Sequence, residues 1–511
     1  MKEIIFYGDD VFFYEFPEDV DIYYAKDPLP PLKKDKNAIK QAIENPISSK
    51  RIESLLNKDS KIAICFDDIS VPLPLMNEDI RAKAAEVITK KLFNLGIKKE
   101  NIRFICATGL HRKCTSKELK TILGKNIYRQ FESQIFNHDV SNEKDLLVVG
   151  KTQEGHEVEL NRLAAESDLI IYLNITFTPL NGGWKSIIVG LGSFKTIIPH
   201  HSPEILQEGV FMDPHKSGLH RIIWEMGRAI EKQVNVFTIE MVINNNFFEG
   251  FYEKLYRPLG PDSEKVPLWK RLTLALMGKM PQFIKSHVRK KLKANYQLIG
   301  VYAGDIEGAH KKSLELVKKQ LNVSINKQYD VLIYGAPNMS PYNVGSELNP
   351  LLLHTLILGY LYNMYNGKSP LKKDGILIIS NPAYEKFDLQ QHPSYYDFYH
   401  NIIPTNPDIF DLKEVESKYL NNEEYNEKYR NDFAYHGTHA IIVYYWGILG
   451  MKNVGEVIVA GAKNKDTLNV LGYKYSKDLT EAIKISRKRF GDDCSIAYFC
   501  IPPLFITELN D

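Results

Sequence analysis

Short apolar runs recur through the first two hundred residues, and each stops at a polar doublet or a glycine. Lys61-Ile-Ala-Ile-Cys-Phe66 runs into Asp67-Asp68, and Ile102-Arg-Phe-Ile-Cys-Ala107 into Thr108-Gly109-Leu110-His111-Arg112. Leu169-Ile-Ile-Tyr-Leu173 leads to the turn Asn181-Gly182-Gly183. Helical stretches lie between them, one from about Asn77 to Leu95 and one beginning at Ser116. Runs this short, alternating with helices, predict an α/β fold with a largely parallel sheet. Phe131 to Phe136 and Leu146 to Val149 read as further strands of the same kind. In such sheets a ligand sits beyond the carboxyl ends of the strands. Asp67-Asp68, His111, His138 and the Gly182-Gly183 loop are therefore expected on one edge.

At 511 residues the chain exceeds one ordinary core, so two domains are expected. Residues 1–305 form the first. A second α/β unit, 306–511, contains the strand Tyr329 to Tyr334, a helix over Leu348 to Tyr365, the strand Gly375 to Ser380 and a helix over Ala440 to Gly450. The cleft between two such units is the usual place for a small-ligand site. Leu348 to Tyr365 is interrupted by Asn349, Pro350, His354 and Asn363, which predicts a buried helix rather than a membrane span.

The block 265–293 holds nine Lys or Arg and no Asp or Glu. Leu272, Leu276, Met280, Ile284 and Val288 recur in it at four-residue spacing. This pattern predicts a helical insertion of two short amphipathic helices, packed on the domain with a basic outer face. Contact with a membrane surface is the second reading. A net charge of +2 implies no general attraction to nucleic acid. Five widely spaced cysteines, with no CxxC pair, fit reduced thiols in a cytoplasmic protein. The N-terminus lacks the features of a signal peptide.

Gly182-Gly183-Trp184-Lys185-Ser186 offers a paired-glycine turn that lets backbone approach a ligand. A nucleotide-hydrolysing P-loop needs glycine directly before the lysine, and here Trp184 intervenes. Lys185 is a point charge or, if desolvated, a nucleophile. His200-His201 offers imidazole to a metal. A lone histidine is more often a packed residue than a ligand, so the joint occurrence of these groups carries the weight.

Taken together, these segments resemble the nickel-dependent lactate racemase catalytic subunit and its wider family of 2-hydroxyacid racemases and epimerases. The resemblance is clearest from Ile62 to Pro203. It rests on Asp67-Asp68 with Pro72, Ala107-Thr-Gly-Leu-His-Arg112, Asn137-His138-Asp139, Asn161-Arg162, the Gly182-to-Ser186 segment with Gly190-Leu-Gly192, and His201. Met212-Asp213-Pro214 and Val301-Tyr-Ala-Gly-Asp305 extend it. It implies a nickel-pincer nucleotide, a pyridinium mononucleotide derivative tethered to Lys185, with nickel coordinated by His201 (His200 as the fallback). It implies that Gly182, Gly183 and Ser186 hold the cofactor, that His111 moves the substrate's hydroxyl proton, and that Asp68 supports His111. The reaction implied is reversible hydride transfer on a 2-hydroxy acid or sugar acid, with a small-molecule hydroxy acid and cofactor-biosynthesis proteins as partners.

Two positions depart from the family pattern. Val71 stands where the family has an arginine suited to gripping a carboxylate, and Ile175 stands where a second histidine is expected. Three readings follow. One is an isomerase whose second proton-transfer group is His200, His436 or Tyr435. Another is a hydride-transfer enzyme with one base. The third is a catalytically degenerate family member that binds a metabolite or partner. Retention of both Lys185 and His201 favours an enzyme.

Overall fold

The computed structural model describes residues 1–261 and 266–510. Lys265, where the basic block begins, and Asp511 lie outside the described residues. Two six-stranded sheets organise the chain, as the alternating pattern predicts. In the first, the spatial order is Leu298–Gly304, Val236–Ile243, Leu169–Thr176, Ile62–Asp67, Ile102–Ala107, Ile135–Asn137. All neighbours are parallel except Val236–Ile243 against Leu298–Gly304. Leu169–Thr176 is buried at every position, as a central parallel strand covered on both faces must be.

The second sheet is parallel throughout, in the order Lys474–Ser476, Val454–Ala460, Leu371–Ser380, Tyr329–Gly335, Ile496–Cys500, Val20–Tyr24. Each sheet has one point where strand order reverses. In the first it lies between Ile62–Asp67 and Leu169–Thr176; in the second, between Tyr329–Gly335 and Ile496–Cys500. Crevices open at such points. Here the loops leaving the two crevices line one cleft: Val71 and Leu180 from the first, Pro337, Met339, Ile501 and Pro502 from the second.

Several elements differ from expectation. The division at residue 305 does not follow the sheets. Val20–Tyr24 pairs with Ile496–Cys500 in the second sheet, and the helix Ile306–Leu321 packs on the first. Phe131 ends a helix, Ser116–Phe131, and the strand is only Ile135–Asn137. That helix is fixed at its start by a Thr115/Glu118 capping box, which commits the downstream apolar positions to helical packing. Leu146–Lys151 pairs only with Glu157–Asn161, as an antiparallel hairpin outside the main sheet. The helix predicted over Leu348 to Tyr365 runs Pro350–His354 and then continues as a π-helix, Thr355–Leu361. Ala440 to Gly450 divides into His439–Tyr445 and Ile448–Asn453.

The basic block forms two helices, Leu268–Gly278 and Gln282–Lys291, but cations and apolar residues are split between the inner and outer faces. Lys270 is buried and donates to the Arg257 carbonyl (2.6 Å). Lys285 pairs with Asp10 (2.5 Å), and Arg289 with Asp9 (2.6 Å) and Glu347 (3.1 Å). Acids from elsewhere in the chain draw Lys285 and Arg289 inward, Leu274 is buried, and Leu268, Leu272, Leu276 and Phe283 face out. No helix among the described residues is long and apolar enough to cross a membrane.

Candidate active site

Asp67 and Asp68 close the strand Ile62–Asp67, and a buried arginine shapes their turn. Arg81 donates to the carbonyls of Asp67 (2.6 Å) and Asp68 (3.0 Å) while its guanidinium is matched by Asp79 (2.7 and 2.9 Å). The Asp68 carboxylate accepts from Ser70 and lies 2.7 Å from Nδ1 of His111. Burial alone would raise the Asp68 carboxyl, but His111 and Ser70 hold it below the usual carboxylate range. Asp67 is pushed up to about 6 by burial, against the pull of Arg81 and of the Ile175 amide. His111 sits on the loop after Ile102–Ala107. Arg112 anchors that loop through paired bonds to Glu118 (3.0 and 2.6 Å), the residue of the capping box.

The glycine turn is built on a buried Glu240–His310 contact that sequence reasoning missed. Glu240 accepts from the Gly183 amide (2.8 Å), from the Thr176 hydroxyl (3.0 Å) and from Nδ1 of His310 (3.0 Å). Gly182 and Gly183 have φ of +98° and +61°, and a Cβ on Gly183 would lie 2.7 Å from the His310 ring. The expectation that the Gly183 amide faces a ligand is therefore corrected: Glu240 takes that N–H. Gly182 does line the cleft, as does Ser186, whose hydroxyl donates to Asn174 (3.0 Å). One signal pointed at Glu240, a carboxylate within the apolar strand Val236–Ile243; its partner His310 lies seventy residues on.

Lys185 projects from the helix Trp184–Ile188 into the cleft, where Nζ donates to the Leu180 carbonyl (2.8 Å) and stands 5.7 Å from the Trp446 ring centre. It makes no ion pair among the described residues. Burial pulls its ammonium down to about 8, and Asp67 opposes that shift. His201 ends the helix Phe194–His201. Its Nδ1 lies 3.2 Å from the Ile197 carbonyl, which assigns the proton to Nδ1 and leaves Nε2 as the basic nitrogen. Burial, and next the Lys185 charge, bring its pKa down to about 3, so the imidazole is neutral.

Lys185, His201, His111, Asp67, Asp68, Gly182 and Ser186 thus border one polar cavity of about 130 Å³. A second, more apolar cavity of about 230 Å³ adjoins it and shares Val71, His111, Lys185, His201, Tyr342 and Trp446. Among the described residues, Lys185 is the one Lys or Arg bordering either. Among the described residues no cluster of three His, Cys, Asp or Glu side chains forms a complete metal site.

The other histidines fall elsewhere. His138 is buried, with Nε2 on the Gly192 carbonyl (2.9 Å) and Nδ1 beside Asn161 (3.2 Å), so it ties loops together. His200 is buried next to His201 (ring centres 4.6 Å) and borders neither cavity. His436 and Tyr435 also border neither, so none of the three expected donors of a second base meets the cleft. The Ile175 side chain packs in the core. The second domain instead contributes His439. Its ring stands perpendicular to that of His111 with centres 5.2 Å apart, and its Nδ1 is held by the Tyr395 hydroxyl (2.5 Å). Burial, reinforced by nearby histidines, keeps its pKa well below the ordinary value.

Residues 7–212 match the lactate racemase N-terminal domain. The lactate racemase of Thermoanaerobacterium thermosaccharolyticum is 28% identical over 242 residues, 43% of this chain and 52% of that protein. The lactate racemase of Lactiplantibacillus plantarum is 28% identical over 182 residues, 34% of this chain and 39% of that protein. The matched segment thus spans about half, or less, of the length of these curated relatives. The solved lactate racemase apoprotein of T. thermosaccharolyticum superposes with a TM-score of 0.63 at 20% identity, covering 99% of this chain and all of that one. A Thermotoga maritima protein structure gives 0.50 at 16% identity, over 96% of this chain. The α/β fold is thus shared along the whole length, and residues 7–212 are similar to the N-terminal domain of lactate racemases.

Proposed function

We propose that this chain is an isomerase that racemises or epimerises a 2-hydroxy acid or sugar acid by reversible hydride transfer, with a nickel-pincer nucleotide tethered to Lys185. The observation that carries this reading is Lys185 itself. It is a lysine without a carboxylate ion-pair partner among the described residues, its pKa pulled down to about 8, in the same cleft as a neutral His201 and the His111–Asp68 pair. The donor set fits the group. A lysine amine becomes acylable only when unprotonated, and neutral imidazole with one nitrogen already hydrogen-bonded is a good ligand for a divalent metal. When bound, the cofactor would supply a hydride acceptor and donor.

The protein's own residues account for the proton. Removing hydride from a carbinol carbon leaves a carbonyl, so the hydroxyl proton must leave with it. His111 is placed to take that proton, and Asp68 orients the imidazole and stabilises its cation. His439, whose ring meets that of His111 edge to face on the cavity wall, is the second group able to exchange a proton there. With Val71 on the cleft wall and no arginine bordering it, the substrate carboxylate would rely on Ser70, Asn181 and Tyr342. Cofactor-biosynthesis proteins and a cytoplasmic setting belong to this reading.

A second reading, a family member that binds a metabolite without turning it over, is favoured by one observation: no bidentate cation meets the cleft. Intact-mass and nickel analysis of protein produced with cofactor-biosynthesis proteins separates the two. The isomerase reading expects a covalent increment lost in Lys185→Ala and nickel lost in His201→Ala. An unmodified, nickel-free wild-type chain, under conditions that load a known lactate racemase, would overturn it.

A further inference from the structure

The two helices Leu268–Gly278 and Gln282–Lys291 present to solvent what a surface helix normally buries. Leu268 is 68% exposed, Leu272 62%, Leu276 70% and Phe283 74%, and Trp269, Val288 and neighbouring Phe251 are exposed as well. Scattered exposed apolar residues need no explanation, but this many on one helix pair do. Arg271, Lys279, Lys291 and Lys293 are exposed around them and enter no ion pair among the described residues. The acids that meet these helices, Asp9, Asp10 and Glu347, are engaged by Lys285, Arg289 and Lys290.

We propose that this helix pair docks the protein on an anionic lipid surface. Charge decides between the possible occupants. A second copy meeting this face about a two-fold axis would set basic rim against basic rim, because residues 266–293 contain no Asp or Glu. An anionic bilayer answers both parts of the patch: its headgroups match the cations, and its acyl region takes Leu272, Leu276, Phe283 and Trp269. A further feature favours lipid over a folded partner. Between the helices and the body of the protein lies a largely apolar cavity of about 250 Å³ lined by Phe251, Met277, Met280 and Val288, with the paired Asp9 and Arg289 and Lys285 also on its wall, which gives apolar room next to the docking face. It abuts the reaction cleft at Phe247, Pro337, Met339 and Pro502, which border both. The docking face and the cleft are therefore neighbours.

The test is co-sedimentation of the full-length protein with vesicles of phosphatidylcholine alone and of phosphatidylcholine mixed with phosphatidylglycerol, at low and high salt. Binding is expected to the mixed vesicles at low salt and to weaken as salt rises. Leu272→Ser combined with Phe283→Ser should abolish it. Each cation removed, Arg271→Gln or Lys279→Gln, should lower partitioning by about fivefold. All four side chains are exposed, so unchanged thermal midpoints would confirm that the fold survives. Absence of binding to anionic vesicles at low salt would overturn the proposal. So would equal binding by the apolar double variant, or a concentration-dependent dimer that the same variant disperses while vesicles go unbound.

Discussion

Lys185→Met should stabilise the apoprotein at neutral pH. A lysine whose pKa falls to about 8 on folding from an ordinary 10.5 is a cation the folded state disfavours. Between those two values the unfolded chain binds more protons than the folded one, so stability rises with pH across that window. The linkage cost of Lys185 is about 3 kcal/mol at pH 7, about 2 at pH 9 and under about 1 at pH 10. These are upper bounds, because the bond to the Leu180 carbonyl and the approach to Trp446 are lost with the ammonium. Methionine has a similar length and no charge, so the variant should gain roughly 1–3 kcal/mol at pH 7 and progressively less toward pH 10. Urea unfolding of both proteins at several pH values reads the difference directly, since every other titrating group cancels between them. A variant equally or less stable at pH 7, or a difference that does not shrink with rising pH, would refute the claim that folding depresses the Lys185 pKa. Competitive acylation of wild-type apoprotein, followed by mass spectrometry, gives the same quantity independently. Lys185 should label with a midpoint near 8, and exposed lysines about two units higher.

Three further outcomes are expected. Arg81→Met leaves Asp79 and two carbonyls without their buried partner, so it should cost about 3–5 kcal/mol in urea unfolding; near-wild-type stability would remove Arg81 as the anchor of the Asp67-Asp68 turn. His439→Phe keeps the aromatic contact with Tyr342 but removes the proton carrier, so in cofactor-loaded enzyme kcat should fall by roughly 10²–10⁴ with nickel retained; unchanged turnover would leave His111 as the sole base. Gly183→Ala puts a Cβ against His310 at a left-handed φ, and should destabilise by about 1–3 kcal/mol. An unaffected midpoint would show that the Glu240–His310 pair yields freely.

The distribution of what could be read in advance follows contact range. The strands Ile62–Asp67, Ile102–Ala107 and Leu169–Thr176 are legible as local apolar runs, and the residues at their ends meet because a parallel sheet brings its carboxyl ends together. Lys185, His201, His111 and Asp68 were found in this way, and the structure gathers them in one cleft. The Gly183 amide was misjudged because its acceptor, Glu240, is fifty-seven residues away on another strand. His200, His436 and Tyr435 were natural candidates for a second base by residue type, but none borders the cavity: Tyr435 lies behind the His111 and His439 rings, whereas His439, three residues beyond His436, borders it.

By itself, the sequence determined the α/β class, the polar residues at the strand ends and the resemblance of residues 7–212 to a known domain, because each is written in local periodicity or in residues within a few positions of one another. Only the tertiary structure decided the rest. His439 and Trp446 reach the cleft from a second domain more than two hundred residues beyond Lys185. Arg81 and the Glu240–His310 pair shape turns from beneath. The basic helices show the limit most clearly. Their amphipathic period was readable, but not which face would be buried, since that was set by where Asp9, Asp10 and Glu347 come to lie. A period states that a helix has two faces; the partners that fold against it choose between them.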